Sequence, residues 1–157
     1  MKKIKWFILL IAALFVTGCK DYSLDFSDIS FNLDKTSFKT NENMVLTCTG
    51  SFAENDMMGN IHIYFYICKI ENGEKNYGKE NFFSIVDCGT LKNESMDIND
   101  FQAFISKKSS FVQVNEKIVL NISQPGDYEI FFELSCSVDG APYRQAKYEK
   151  FLITVIE

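Results

Sequence analysis

Apolar and polar residues alternate along most of the chain with a period of two, the spacing at which successive β-strand side chains point to opposite faces. Turn signals rich in Gly, Asn and Asp interrupt the alternation. The pattern predicts strands at 29–34, 36–40, 43–52, 61–70, 81–88, 111–114, 117–122, 127–138 and 148–156. Many short strands separated by turns predict an all-β sandwich or barrel.

One segment departs from the alternation and predicts a short helix at 96–108. Asn99 or Asp100 is placed to cap its start. Asp97 and Asn99 also match part of a D-x-N-x-D calcium loop, but such a loop needs an acid where this chain has Phe101. Helix capping therefore accounts for the segment better than calcium binding.

The start of the chain has the composition of an export signal. Lys2, Lys3 and Lys5 precede an unbroken run of eleven apolar residues, Trp6 to Val16. That run is too short for a transmembrane helix, which needs roughly 20 residues. A charged start and a short apolar run predict a secretory signal peptide.

The signal ends in Val16-Thr17-Gly18-Cys19, which resembles the lipobox of bacterial lipoproteins at every position. The resemblance implies that the Cys19 thiol accepts a diacylglyceryl group and that a signal peptidase then cuts between Gly18 and Cys19. Two or three acyl chains would anchor the protein firmly to a membrane. The alternative is an ordinary signal peptide that contains a cysteine.

The resemblance divides the chain into a lipoprotein signal peptide at 1–18, the lipidated cysteine and a tether at 19–28, and a sandwich domain at 29–157. Lys20 follows the lipidated residue where an inner-membrane lipoprotein of enterobacteria has Asp. This resembles an outer-membrane address, so we expect the outer membrane or the cell surface rather than the inner membrane.

Charge bounds the class of partner. Without the three signal lysines, 13 Lys and Arg remain against 21 Asp and Glu, a net charge of −8. An acidic domain has no electrostatic reason to bind nucleic acid or anionic lipid head groups. The hydrophobic content of 46% is high enough to build a core and argues against global disorder.

Residues that carry chemistry are sparse. His62 is the sole histidine, and its neighbours Tyr64 and Tyr66 offer no nucleophile. The sequence has no GxSxG, HExxH or phosphate-loop motif, and no CxxC spacing for zinc. Glu129 and Glu133 could form a paired-carboxylate site, but we expect a solvated strand face. The sequence therefore predicts no enzyme, no cofactor and no metal.

Three segments resemble the immunoglobulin-like sandwich, in the broad bacterial sense that includes PKD-type domains. They are TSFKTNENMVLTCTG (36–50), QPGDYEIFFEL (124–134) and KFLITVI (150–156). Two features depart from the family pattern. Trp6, the sole tryptophan, lies in the signal, and Tyr128 precedes Cys136 by eight residues rather than two, so the tyrosine corner of antibody domains is not expected.

Four cysteines remain after the signal, and an even count in an exported chain suggests two disulfides. The resemblance implies a Cys48–Cys136 bridge that joins two strands across the core. Cys68 could meet Cys88 across the hairpin between them. The alternative is four reduced, buried thiols that act as small apolar side chains.

The predicted outward face carries the candidate binding residues. His62, Tyr64 and Tyr66 alternate with core residues on one strand, and Phe131 faces outward on its expected neighbour. Such a patch suits a partner surface, unless the predicted helix or the neighbouring polar loop covers it.

These features together predict a lipid-anchored, exported binding or adhesion-type module of the bacterial envelope that takes a protein or glycan ligand. The alternative is a periplasmic structural or assembly factor without an external ligand.

Overall fold

The computed structural model describes residues 24–53, 58–76, 82–89, 91–93, 100–105, 111–138 and 145–157. The predicted signal peptide, Cys19 and most of the tether lie outside these ranges. These ranges contain eleven strands: β1 (Ser30–Leu33), β2 (Ser37–Lys39), β3 (Met44–Ala53), β4 (Met58–Glu71), β5 (Glu74–Asn76), β6 (Phe83–Asp87), β7 (Lys92–Asn93), β8 (Asp100–Ile105), β9 (Phe111–Ile122), β10 (Gly126–Val138) and β11 (Gln145–Ile156). Within the described ranges we find no helix of the length and apolarity that crossing a bilayer requires.

Two sheets face each other. The smaller has the strand order β1-β3-β9-β6, and the larger has β2-β11-β10-β4-β8-β7 with β5 paired to β4. Neighbouring strands are antiparallel, except that β2 runs parallel to β11. The prediction of an all-β sandwich is confirmed.

The core forms where the alternating apolar faces of the two sheets meet. Phe132 of β10 is fully buried, with its ring centroid 4.9 Å from that of Phe31 in the opposite sheet and 6.4 Å from that of Phe65 on β4. Each fully buried side chain of this size contributes roughly 1.5–3 kcal/mol relative to its exposed state. The period-two pattern therefore corresponds to real burial in the central strands.

The chain enters the core earlier than expected. Phe26, in the segment predicted as a tether, is buried and packs edge-on against Phe52 with ring centroids 4.8 Å apart. The Lys147 ammonium fixes the same segment by donating to the carbonyls of Phe26 and Ser27 at 3.0 and 3.1 Å. The segment from Leu24 onward therefore belongs to the sandwich.

The two predicted pieces of the first strand lie in different sheets. β1 pairs with β3, whereas β2 pairs with the end of β11. Asp34 N donates to Val45 O at 3.2 Å, and Thr36 O accepts from Thr154 N at 2.9 Å. The chain therefore crosses from one sheet to the other within three residues.

A tyrosine corner is present although the cysteine spacing argued against it. The buried Tyr128 donates its hydroxyl to the carbonyl of Gln124, four residues upstream, at 2.9 Å. This hydrogen bond closes the turn before β10. The corner needs only the turn and the tyrosine, so the distance to Cys136 does not decide it.

The predicted helix at 96–108 is wrong over the part that the structure describes. Residues 100–105 form β8, which pairs antiparallel with β4 from Ile61↔Ile105 to Tyr66↔Asp100. The sequence DFQAFI combines strand-favouring aromatic and β-branched residues with an open edge of β4. Six residues of sheet pairing prevail over a capping signal that is local and weak.

Neither predicted disulfide is present, and the four described cysteines are free thiols. Cys68 lies on the outer face of the larger sheet, whereas Cys88 follows β6 of the smaller sheet and packs on the core, so a whole sheet separates them. Cys48 and Cys136 face the core from opposite sheets. Facing sheets pack about 10 Å apart, and a bridge needs Cα atoms within roughly 4.4–6.8 Å.

Candidate binding face

The outer face of the larger sheet carries the residues predicted to bind a partner. His62, Tyr64 and Tyr66 of β4 and Phe131 of β10 all lie there and are half-buried, between fully buried residues that face the core. In the strand register, Tyr66 lies opposite Phe131. The face therefore gathers side chains from strands that are far apart in sequence.

Four aromatic rings form one row across β4, β10 and β11. Tyr66 and Phe131 stack with centroids 4.9 Å apart and planes 13° apart. Phe131 stacks in turn on Tyr148 at 5.1 Å and 28°. Tyr64 extends the row at the other end, tilted against Tyr66 at 6.1 Å. We call these four side chains the aromatic row.

Stacking determines which part of each ring the aromatic row offers to a partner. The two faces of the Phe131 ring are covered by Tyr66 and Tyr148, so its edge points outward. Tyr148 ends the row on β11 and is 57% exposed, which leaves its far ring face open. Phe131 therefore presents its ring edge, and Tyr148 presents an open ring face at the β11 end of the row.

Two carboxylates flank the middle of the row. Glu129 and Glu133 lie on the same face of β10 as Phe131 and are only 6% and 8% exposed. Lys75 of β5 forms an ion pair with Glu129, with Nζ 2.7 Å from Oε1. The expectation of a solvated strand face is wrong, because both neighbouring strands carry bulky side chains here and Lys75 covers Glu129.

The structure places a hydroxyl opposite the sole histidine. Ser135 pairs with His62 in the register of β10 and β4. Its Oγ is buried and makes no hydrogen bond to His62 or to any other group of the residues that the structure describes. A nucleophilic serine needs a base within hydrogen-bond reach and access for a substrate, and Ser135 has neither.

The buried cysteines are poorly suited to reaction or metal binding. Burial, and secondarily the Glu116 carboxylate, raises the pKa of the Cys48 thiol to about 12. Burial followed by the Glu129 carboxylate raises the pKa of Cys68. The thiolate is the reactive and metal-binding form. The part of the chain that the structure describes contains no cluster of three or more His, Cys, Asp or Glu side chains able to hold a metal ion.

Sequence reasoning missed the exposed end of the face. Tyr148 and Leu152 lie on the outer side of β11 and are 57% and 63% exposed. The alternation in YEKFLITVI places both on one face, but only the register with β10 shows that this face continues the aromatic row.

Comparison with protein-family models and with curated proteins finds no match. Solved structures do match. A cohesin module from a Clostridium perfringens family 33 glycoside hydrolase aligns with a TM-score of 0.53 and 5% identity, over 82% of this chain and 96% of the module. A type I cohesin of Clostridium thermocellum, in complex with a dockerin, aligns at 0.44 and 10%, over 82% and 99%. A C-terminal fragment of the major pilin of Streptococcus agalactiae aligns at 0.43 and 10%, over 82% and 55%.

At such low identity this likeness shows the fold alone. The chain has the immunoglobulin-like β-sandwich fold that its sequence resembles.

Proposed function

We propose that this chain is a lipid-anchored, non-catalytic binding module of the bacterial envelope, and that its ligand is a protein. The observation that carries the proposal is the aromatic row, a continuous strip of four rings on an otherwise acidic, exported domain. Aromatic side chains are enriched in protein interfaces.

The stacking favours a protein over a glycan as the ligand. A sugar that binds to aromatic residues lies flat on an open ring face. Both faces of Phe131 are covered, so of the stacked Phe131 and Tyr148 rings a sugar could use only the outer face of Tyr148. Ring edges and tyrosine hydroxyls instead suit the mixed polar and apolar surface of a protein.

The binding test compares two exposed surfaces of the same chain. The full chain and a Tyr64→Ala/Tyr66→Ala variant are immobilised and incubated with envelope and external protein fractions. The matched control is Val86→Ala, which trims a 51% exposed side chain on the smaller sheet. We expect a protein that is retained by the wild type and the control but lost with the double variant. Equal retention by all three would refute this face as the site. If the chain retained no protein but bound glycans on an array, the proposal of a protein ligand would be refuted.

The anchor is tested separately. Cells grown with an alkyne-tagged fatty acid should label the wild-type chain and not a Cys19→Ser variant. Label on Cys19→Ser, or none on the wild type, would contradict the lipobox prediction. The alternative role, a periplasmic assembly factor, is distinguished from an external binding role by adding protease to intact cells. Digestion of the domain would place it outside the cell, and survival until the outer membrane is breached would favour the periplasmic role.

A further inference from the structure

Exposed apolar side chains concentrate on one strand. Within the described ranges, four large apolar residues are exposed, and three of them lie on the outer face of β11: Tyr148, Leu152 and Ile156. In the middle of β11, Tyr148, Glu149 and Lys150 are exposed one after another. Consecutive exposure shows that both faces of the strand are open to solvent there.

The edge of β11 is also open. β2 pairs only with residues 154–156, and no described strand pairs with the same side of β11 between 146 and 152. Thr154 N and Ile156 O both point toward β2. Because the direction of backbone groups alternates along a strand, Ala146, Tyr148, Lys150 and Leu152 direct their N–H and C=O groups to this open edge. A row of such groups is a template for another strand.

Two inward-facing charges decide which strand fits. Lys147 and Glu149 lie on the inner side of β11, in register with Leu134 and Phe132 of β10. Such charges are a device that disfavours pairing with an apolar strand. A fitting strand must therefore bring a carboxylate opposite Lys147 and a cation opposite Glu149.

We propose that the open edge of β11 binds the same edge of a second copy, antiparallel, about a twofold axis at Tyr148. In that register Lys147 of each copy lies opposite Glu149 of the other. Ala146 lies opposite Lys150, and the two Tyr148 residues face each other. Ala146, Tyr148 and Lys150, which direct backbone groups outward, then meet in hydrogen-bonded pairs, and the two aromatic rows join end to end.

The neighbouring registers are less favourable. A twofold axis at Glu149 places two carboxylates face to face, and an axis at Lys150 does the same with two ammonium groups. Like charges directly opposite each other destabilise a strand pair. Lys147 already donates to two carbonyls of its own chain. Its ammonium has a third N–H, which can donate to Glu149 of the other copy.

A single strand edge buries less than the roughly 1,200 Å² of a standard stable interface. The dimer is therefore weak and concentration-dependent. The pairing requires neither the lipid nor the ligand, and capture of a protein by the Tyr64–Tyr66 surface is measured independently of it. Either proposal can fail while the other stands.

Cysteine crosslinking tests the register. Tyr148→Cys is introduced into the full chain in detergent, and disulfide formation is followed under mild oxidation. The Cα atoms of a twofold-related hydrogen-bonded pair lie about 5.5 Å apart, within range of a disulfide. Leu152→Cys is the matched control, because two copies of residue 152 would lie eight residues apart along the strands, about 26 Å. Wild type measures the background from the native thiols.

We expect rapid dimer formation with Tyr148→Cys and only background with Leu152→Cys. No crosslink at 148, or equal crosslinking at both positions, would overturn the proposal. Stronger crosslinking with Glu149→Cys or Lys150→Cys would overturn the register.

Charge reversal provides the second test. Glu149→Lys places like charges opposite each other twice and should weaken dimerisation, measured by sedimentation velocity, roughly tenfold or more. The double variant Lys147→Glu/Glu149→Lys restores both opposite pairs and should regain dimerisation. Thermal melts confirm that each variant folds. A folded Glu149→Lys that dimerises like wild type, or a folded double variant that does not recover, would refute the pairing.

Discussion

Replacing Ser135 with alanine should stabilise this protein, although most substitutions in a sheet destabilise. The Ser135 hydroxyl is buried on the outer face of β10 and has no hydrogen-bond partner within the described part of the chain. A buried polar group without a partner costs about 1–3 kcal/mol relative to its hydrated state. Alanine removes that cost with almost no change in volume. The lower β-propensity of alanine offsets part of the gain in stability. We expect a net gain of about 1 kcal/mol.

Urea unfolding of the two proteins measures this gain. The midpoint should rise for Ser135→Ala while the m-value stays the same, because the exposed surface on unfolding hardly changes. Ser84→Ala is the matched control, since Ser84 is exposed on β6 and has no burial cost to lose. A loss of about 1 kcal/mol or more for Ser135→Ala, with an unchanged control, would show that the hydroxyl has a partner. The conclusion that it cannot act with His62 would then fall.

Two further predictions concern backbone strain and pH. Gly50→Ala should lower the free energy of unfolding in urea by about 3 kcal/mol or more, because its Cβ would clash with Asp28 O at a φ of +131°. Gly73→Ala should lower it clearly less, because Gly73, at φ +81°, has open space around it. The thiol of Cys48 has a pKa raised from 9.0 to about 12, so the folded state keeps a proton that the unfolded state loses. The contribution of this thiol to the free energy of unfolding should be fully present below about pH 9. Above that pH the free energy of unfolding should fall by up to about 1.4 kcal/mol per pH unit. Cys48→Ala should flatten that slope, and an unchanged slope would contradict a buried thiol.

The sequence predicts central strands best and edge elements worst. The strand predicted at 127–138 corresponds to β10 at Gly126–Val138, and the one at 43–52 to β3 at Met44–Ala53. Both have one face in the core, so burial enforces the period of two. β8 pairs at the margin of the sheet, where the weaker alternation of DFQAFI was outweighed by a capping signal. The pairing partner that decides its structure lies about forty residues away in the chain, and local patterns do not contain it.

The candidate face was predictable only strand by strand. Alternation placed Tyr64 and Tyr66 outward, and the same logic placed Phe131 outward. Their stacking on Tyr148 depends on the register of β10 with both neighbours, which is set by turns and core packing. Burial of Glu129 depends likewise on Lys75, which β5 brings over it.

The charged residues of β11 are interpreted differently from the sequence and from the fold. In the sequence, Lys147, Glu149 and Lys150 look like the charges of a solvated strand. In the fold they occupy an open edge, where charge does more than promote solubility. Inward-facing Lys147 and Glu149 exclude an apolar strand, yet their spacing of two residues makes them complementary to themselves when the strand is reversed. Two lysines would prevent aggregation at this edge equally well. One lysine and one glutamate on either side of Tyr148 instead select a single partner, the same edge turned by a twofold axis.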